Sequence, residues 1–129
     1  MPRPVLKPGP THPITIEPTP GRVIVRAGSV VLADSSSALT LRESHYPPVQ
    51  YLPRAHVRAG LLRPSTTTTY CPYKGEASYH TVETPDGTRI EDAIWVYEDP
   101  HPAVEAIAGH LAFYPDRVDV TVIEADHRA

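Results

Sequence analysis

From Arg22 to the C-terminus, apolar and polar positions alternate in short runs separated by turn residues, the period of strands with one buried face. "RVIVRAGSVVLADS" reads as two strands, Arg22 to Arg26 and Ser29 to Ala33, joined at Ala27-Gly28, where glycine supplies the positive φ that a tight hairpin needs. "ALTLRES" predicts a third strand on Leu39 and Leu41. "YPPVQYLPRAHVRAGLL" is broken by prolines and retains a short edge strand near Val49 to Leu52. The β-branched "STTTTYC" favours extended backbone. A turn or bulge at Lys74-Gly75 separates it from a strand in "EASYHTVET", and the Pro85-Asp86-Gly87 turn leads to a hairpin partner at Thr88 to Tyr97. "HLAFYP" and "VDVTVIEA" complete the sheets.

One segment departs from this period. In "DPHPAVEAIAGHLAFYP", Ala103, Val104, Ile107 and Ala108 recur at helical spacing. Asp99 is placed to cap, Pro100 suits a first turn and Gly109 ends the run, which predicts one short helix near residues 100–109. The expected fold is a mainly β, small antiparallel domain over residues 21–125. Residues 1–20 are expected to form an extended arm or a disordered leader: seven of the sixteen prolines fall there, so the segment is expected neither to coil into a helix nor to pair continuously. Val5, Leu6, Ile14 and Ile16 allow the arm to lie across the domain or across a second subunit, and an exchanged arm makes a homodimer an expectation.

Composition narrows the partners. With 129 residues the chain has the size of one domain. A net charge of −3, with no long run of lysine or arginine, gives no electrostatic footprint for nucleic acid. No apolar stretch approaches a membrane span, and the first twenty residues lack the apolar centre of a secretion signal, which points to a cytoplasmic protein. The single cysteine excludes an internal disulfide and a cysteine-cluster zinc site. Seven scattered histidines show no pair at the spacing of a helical metal site, so no metal is assigned and no cofactor is indicated.

The motifs "VVLADS" (30–35), Glu43, "YLPRAHV" (51–57), "TTYCPYKGEASYH" (68–80), "AIWVYEDP" (93–100) and "HLAFYPDRVDV" (110–120), in that order, resemble the bacterial family called domain of unknown function 427, also labelled nucleotidyltransferase-like. The resemblance covers roughly residues 21–122 and implies an antiparallel fold of the β-tent kind with a short helix. The family pattern falls on Asp34, Glu43, Tyr51, Pro53, Arg54, Cys71, Pro72, Lys74, Gly75, Tyr79, Trp95, Tyr97, Pro100, Phe113 and Tyr114. His56 stands where family members usually carry an aspartate, replacing a fixed negative charge with a titrating group.

The chemistry these residues offer is of three kinds. Cys71 is a nucleophile if Lys74, Arg54 or His80 lowers its pKa, or else a small buried side chain beside Pro72. Lys74-Gly75 with Arg54 would cradle a phosphate or carboxylate, although neither a Walker-type nor a dinucleotide-binding glycine motif is present. Tyr51, Tyr79, Trp95 and Tyr97 would wall an aromatic pocket with Lys74 and Arg54 at its mouth, and Glu43 would serve as acid or base. The expected function is therefore binding of a small molecule, anionic or phosphate-bearing, with catalysis by Glu43, Cys71 and Lys74 if the protein is an enzyme. The competing expectation is a non-catalytic protein-interaction module presenting the same aromatic and arginine residues.

Overall fold

A computed structural model describes residues 3–124; Ala125 and His127 lie outside the described residues. Over the described residues the fold is mainly β, with ten strands in three antiparallel sheets. β1 (Ile14–Pro18), β4 (Leu39–Glu43) and β5 (Val49–Tyr51) form the first sheet, in the order β1-β4-β5. β2 (Arg22–Ala27), β3 (Val30–Ser35) and β10 (Asp119–Ile123) form the second, ordered β10-β2-β3. β6 (Leu62–Cys71), β7 (Gly75–Glu83), β8 (Arg89–Val96) and β9 (Leu111–Phe113) form the third in chain order.

The alternation that marks these strands also divides the interior in two. Val23, Val25, Leu32 and Ala33 of the second sheet pack with Val82, Ile94, Val96, Leu111 and Phe113 of the third. Leu41 and Tyr51 of the first sheet pack with Ala77, Tyr79, Tyr97 and Ala112. Neighbours in sequence are thereby sent to different cores: Tyr51 joins the aromatic one and Leu52 the aliphatic one, as period two requires. Leu52 and Leu111 exchange both backbone hydrogen bonds, at 2.9 and 2.8 Å, and so join the first sheet to the third.

Two expectations are revised by these elements. The stretch expected as an unpaired arm contains β1, which pairs along its length with β4 from Ile14↔Glu43 to Pro18↔Leu39. Its prolines permit this because β1 is an edge strand and Pro18 is its last residue. Upstream, Leu6 donates its backbone N–H to Pro72 at 2.9 Å and the Tyr70 hydroxyl donates to the Pro4 carbonyl at 2.8 Å, so residues 3–13 run along the β6–β7 turn. The helix expected near residues 100–109 is a pair of 3-10 turns over Pro102–Ile107, broken at Val104 (φ −127°). His101 rather than Asp99 precedes it, Pro102 occupies the first turn, and six residues are too few to nucleate an α-helix. Gly109, at φ 69°, ends it as expected and donates to the Tyr97 carbonyl at 3.0 Å.

Candidate functional site

The cleft lies where the β4–β5 end of the first sheet faces the β6–β7 turn and β8. Glu43 is the last residue of β4, and the register Ile14↔Glu43 brings the segment before β1 against its carboxylate. Lys74 sits in the turn between β6 and β7, held by its N–H to the Cys71 carbonyl at 3.2 Å and by its carbonyl accepting from His101 at 2.9 Å. The turn closes on Gly75 at φ 112°, a conformation that residues with a Cβ rarely adopt. Here Lys74 Nζ and Glu43 Oε1 form an ion pair, and His12 Nε2 lies 2.7 Å from Glu43 Oε2. The Lys74 and Glu43 side chains are only 12% and 13% exposed, so the pair is largely withdrawn from water.

Burial alone would push the Glu43 carboxyl up. The hydrogen bonds from Lys74 and His12 outweigh it and hold the carboxyl below the ordinary carboxylate range. The His12 ring is itself fixed by stacking on Tyr73, with centroids 3.9 Å apart and planes 8° from parallel. This histidine was not singled out from the sequence: "GPTHP" has no period, and only the long-range β1–β4 register carries it to Glu43.

Beside the pair stands an aromatic wall. Trp95 Nε1 donates to the Tyr51 hydroxyl at 3.2 Å, the two rings meeting edge to face at 88°. Trp95 also packs on Tyr114 at 4.5 Å, and the hydroxyls of Tyr79 and Tyr114 lie 3.4 Å apart. Tyr79 pairs with Trp95 across β7 and β8, which places both on one face of the sheet. Burial first, and then nearby ionisable groups, push the phenols of Tyr51 and Tyr97 well above their ordinary value, so both remain protonated donors.

These side chains enclose an inner cavity of about 190 Å³, lined by Leu41, Glu43, Tyr46, Pro47, Val49, Tyr51, Lys74, Tyr79, Trp95, Tyr97 and Tyr114. An outer cavity of about 780 Å³ adjoins it. Glu43, Tyr46, Pro47, Val49, Lys74 and Trp95 line both, and the outer one continues along Pro48, Gln50, Leu52, Phe113, Pro115, Val120 and Val122.

Of the residues expected at the site, Glu43, Lys74, Tyr51, Tyr79, Trp95 and Tyr97 line the inner cavity. Arg54 does not. It lies in a 3-10 turn beyond Pro53, lines neither cavity and donates to Glu98 at 2.8 Å, with both side chains exposed. The expected lysine–arginine cradle is therefore not assembled. Cys71 is partly buried against the aromatic core and also lines neither cavity. His56 lies in the same turn as Arg54 and pairs through Nδ1 with the Ser35 hydroxyl at 2.7 Å. Tyr46 and Tyr114 complete the lining; Tyr46 is brought over the rim by Ser44 at φ 50° and its own N–H to the Glu43 carbonyl. Among the described residues, no group of three or more His, Cys, Asp or Glu side chains is placed to hold a metal ion.

A family model described as "Domain of unknown function (DUF427)" matches residues 15–124. The chain belongs to this family. The match begins at the second residue of β1 and runs to the end of the described residues, so the family unit includes the strand that carries the N-terminal segment to Glu43. No curated protein matches the DUF427 chain. No helix among the described residues is long and apolar enough to cross a membrane.

Proposed function

We propose that this DUF427 domain binds a small organic molecule in the aromatic cleft, with the Glu43–Lys74 pair as its polar anchor. The observation carrying this reading is the placement of a withdrawn ion pair at the end of a cavity otherwise walled by Trp95, Tyr51, Tyr79 and Tyr97. A cavity of such mixed lining, mostly apolar with a few convergent polar groups, is the usual form of a small-molecule site.

Charge narrows the ligand. Lys74 is the only lysine or arginine lining either cavity among the described residues, and Glu43 neutralises it. Arg54 is engaged by Glu98. A phosphate would have to displace Glu43 from Lys74, leaving a largely buried carboxylate with His12 as its one remaining partner and a second anion beside it, which is costly. An uncharged or zwitterionic head, accepting from Lys74 or Tyr97 and donating to Glu43, fits without that cost. Any proton exchange at the site falls first to Glu43 and Lys74, the one carboxylate and the one amine that line the inner cavity.

Trp95 is the chain's one tryptophan and lines the cleft, so its emission reports occupancy. Benzamide and benzyl alcohol should shift Trp95 emission saturably, and Lys74→Met should weaken benzamide by about tenfold, the worth of one hydrogen bond to a charged donor. Phenyl phosphate should bind no better than benzamide. Emission unmoved by the uncharged probes sinks the proposal, and tighter binding of phenyl phosphate restores an anionic ligand.

A further inference from the structure

The inner cavity is small. An apolar cavity of about 150 Å³ suffices for benzene but not for much more, and the inner one is about 190 Å³. It opens, however, on a larger space whose far part, lined by Pro48, Gln50, Leu52, Phe113, Pro115, Val120 and Val122, carries no charged side chain. Val120 and Val122 lie two apart on β10 and present one strand face to it. Val122 is 41% exposed and Tyr46 57%, so apolar surface at the rim is left to water. Burying that surface is favourable for any apolar group that reaches it.

Resting on the reading above, we infer that the ligand is amphipathic, with a compact polar or aromatic head in the inner cavity beside Glu43 and Lys74, and a single apolar chain running outward along Leu52, Phe113, Pro115, Val120 and Val122. The six residues common to both cavities make the path continuous, with Trp95, Glu43 and Lys74 together at the junction. The outer space is a concavity of about 780 Å³, within the roughly 300–1,000 Å³ of small-molecule sites, which favours one chain over a protein surface as its occupant.

The experiment is a series of 4-alkylbenzamides, from methyl to octyl, titrated against the full chain by Trp95 emission. Each methylene added within the outer cavity should raise affinity about three- to fourfold, the worth of burying one such group, until the chain passes Val122 and the gain stops. Val122→Trp, on an exposed position of a strand that tolerates aromatics, should stop the gain several carbons earlier and leave benzamide itself unchanged. Val122→Ser should reduce the gain only at the carbons that reach it. A flat series while benzamide still binds overturns the chain path and leaves the cleft reading standing. A gain that ignores both Val122 variants also overturns it, since the alkyl group then lies elsewhere. Silence of benzamide and every homologue overturns both readings. Sedimentation of the same samples tests the rival occupant: a dimer dissociated by Val122→Trp, with a flat series, assigns the groove to a second copy of the chain.

Discussion

Glu43 and Lys74 make one ion pair that is mostly out of water, and the two are not interchangeable with a surface pair such as Arg3–Glu76, whose side chains are 56% and 52% exposed. Removing Glu43 strands Lys74, and removing Lys74 leaves Glu43 with His12 alone. Glu43→Gln or Lys74→Met is expected to cost about 3 kcal/mol in urea unfolding, whereas the double change Glu43→Leu/Lys74→Met should return to within about 1 kcal/mol of the parent, because neither charge is left unpaired. Small, additive single effects would show that the pair is solvated. Its pH dependence follows from the lowered carboxyl. Through the ordinary carboxylate range the folded state holds fewer protons at Glu43 than the unfolded chain, so the stability this group contributes is complete above that range. It is lost as pH falls through the depressed value. Asp34, Asp86 and Asp92 are also held low, so the test is a difference: between about pH 5 and pH 3, the urea midpoint of the parent should fall more steeply than that of Glu43→Gln.

Turns decide where such residues stand. Gly75 and Gly87 both hold positive φ, at 112° and 88°, and alanine at either is expected to cost on the order of 2 kcal/mol. Only Gly75 bears on the cleft. A Cβ there would make only ordinary contact, 3.6 Å from the backbone of Pro100 and His101, but relief of the φ strain would shift the backbone next to Lys74 and its hydrogen bond from His101, whereas Gly87 lies in a turn that lines neither cavity. Gly75→Ala should therefore weaken benzamide as well as the fold, and Gly87→Ala the fold alone; equal benzamide affinity in the two would detach Lys74 from the site. The same contrast explains what the sequence made legible. The hairpin β2–β3, the Pro85-Asp86-Gly87 turn and the strands around Trp95 follow from alternation and turn chemistry, both local. That Tyr79 and Trp95 share a face also follows from period two once β7 and β8 are paired, whereas their meeting with Tyr51 depends on the packing of one sheet against another. The direction of Arg54 is not legible in the sequence because it lies three residues past the end of β5, beyond Pro53, where periodicity no longer fixes a direction. The short helix was given the wrong start because Pro100 and Pro102 compete for the same role and the backbone at Val104 breaks the period.

At the level of the whole molecule, the segment before β1 is part of the site's enclosure. His12 reaches Glu43, Tyr73 stacks on His12, and Ser44 donates to the Pro13 carbonyl at 2.7 Å. Proximity of this kind is set by β1–β4 pairing across more than twenty residues, which is why residues 1–20 read as separate from the domain in sequence alone. A chain beginning at Pro13 keeps β1 and is expected to fold, but with Lys74 uncovered. The protein has two lysines, Lys7 and Lys74, and Lys7 is exposed. In the full chain, acetylation followed by mass spectrometry should mark Lys7 well before Lys74; in the shortened chain Lys74 should react several-fold faster. An unchanged rate would mean that the segment does not shield it.

The reciprocal backbone pair between Leu52 and Leu111 is the seam along which the first and third sheets meet, and both leucines are at most 1% exposed. Prising the two sheets apart would rupture that seam and wet both aliphatic side chains at once. The gape between these two sheets is therefore preset by the fold itself. In hydrogen exchange, the Leu52 and Leu111 amides should open only with the molecule as a whole, while rim amides such as that of Tyr46 exchange early.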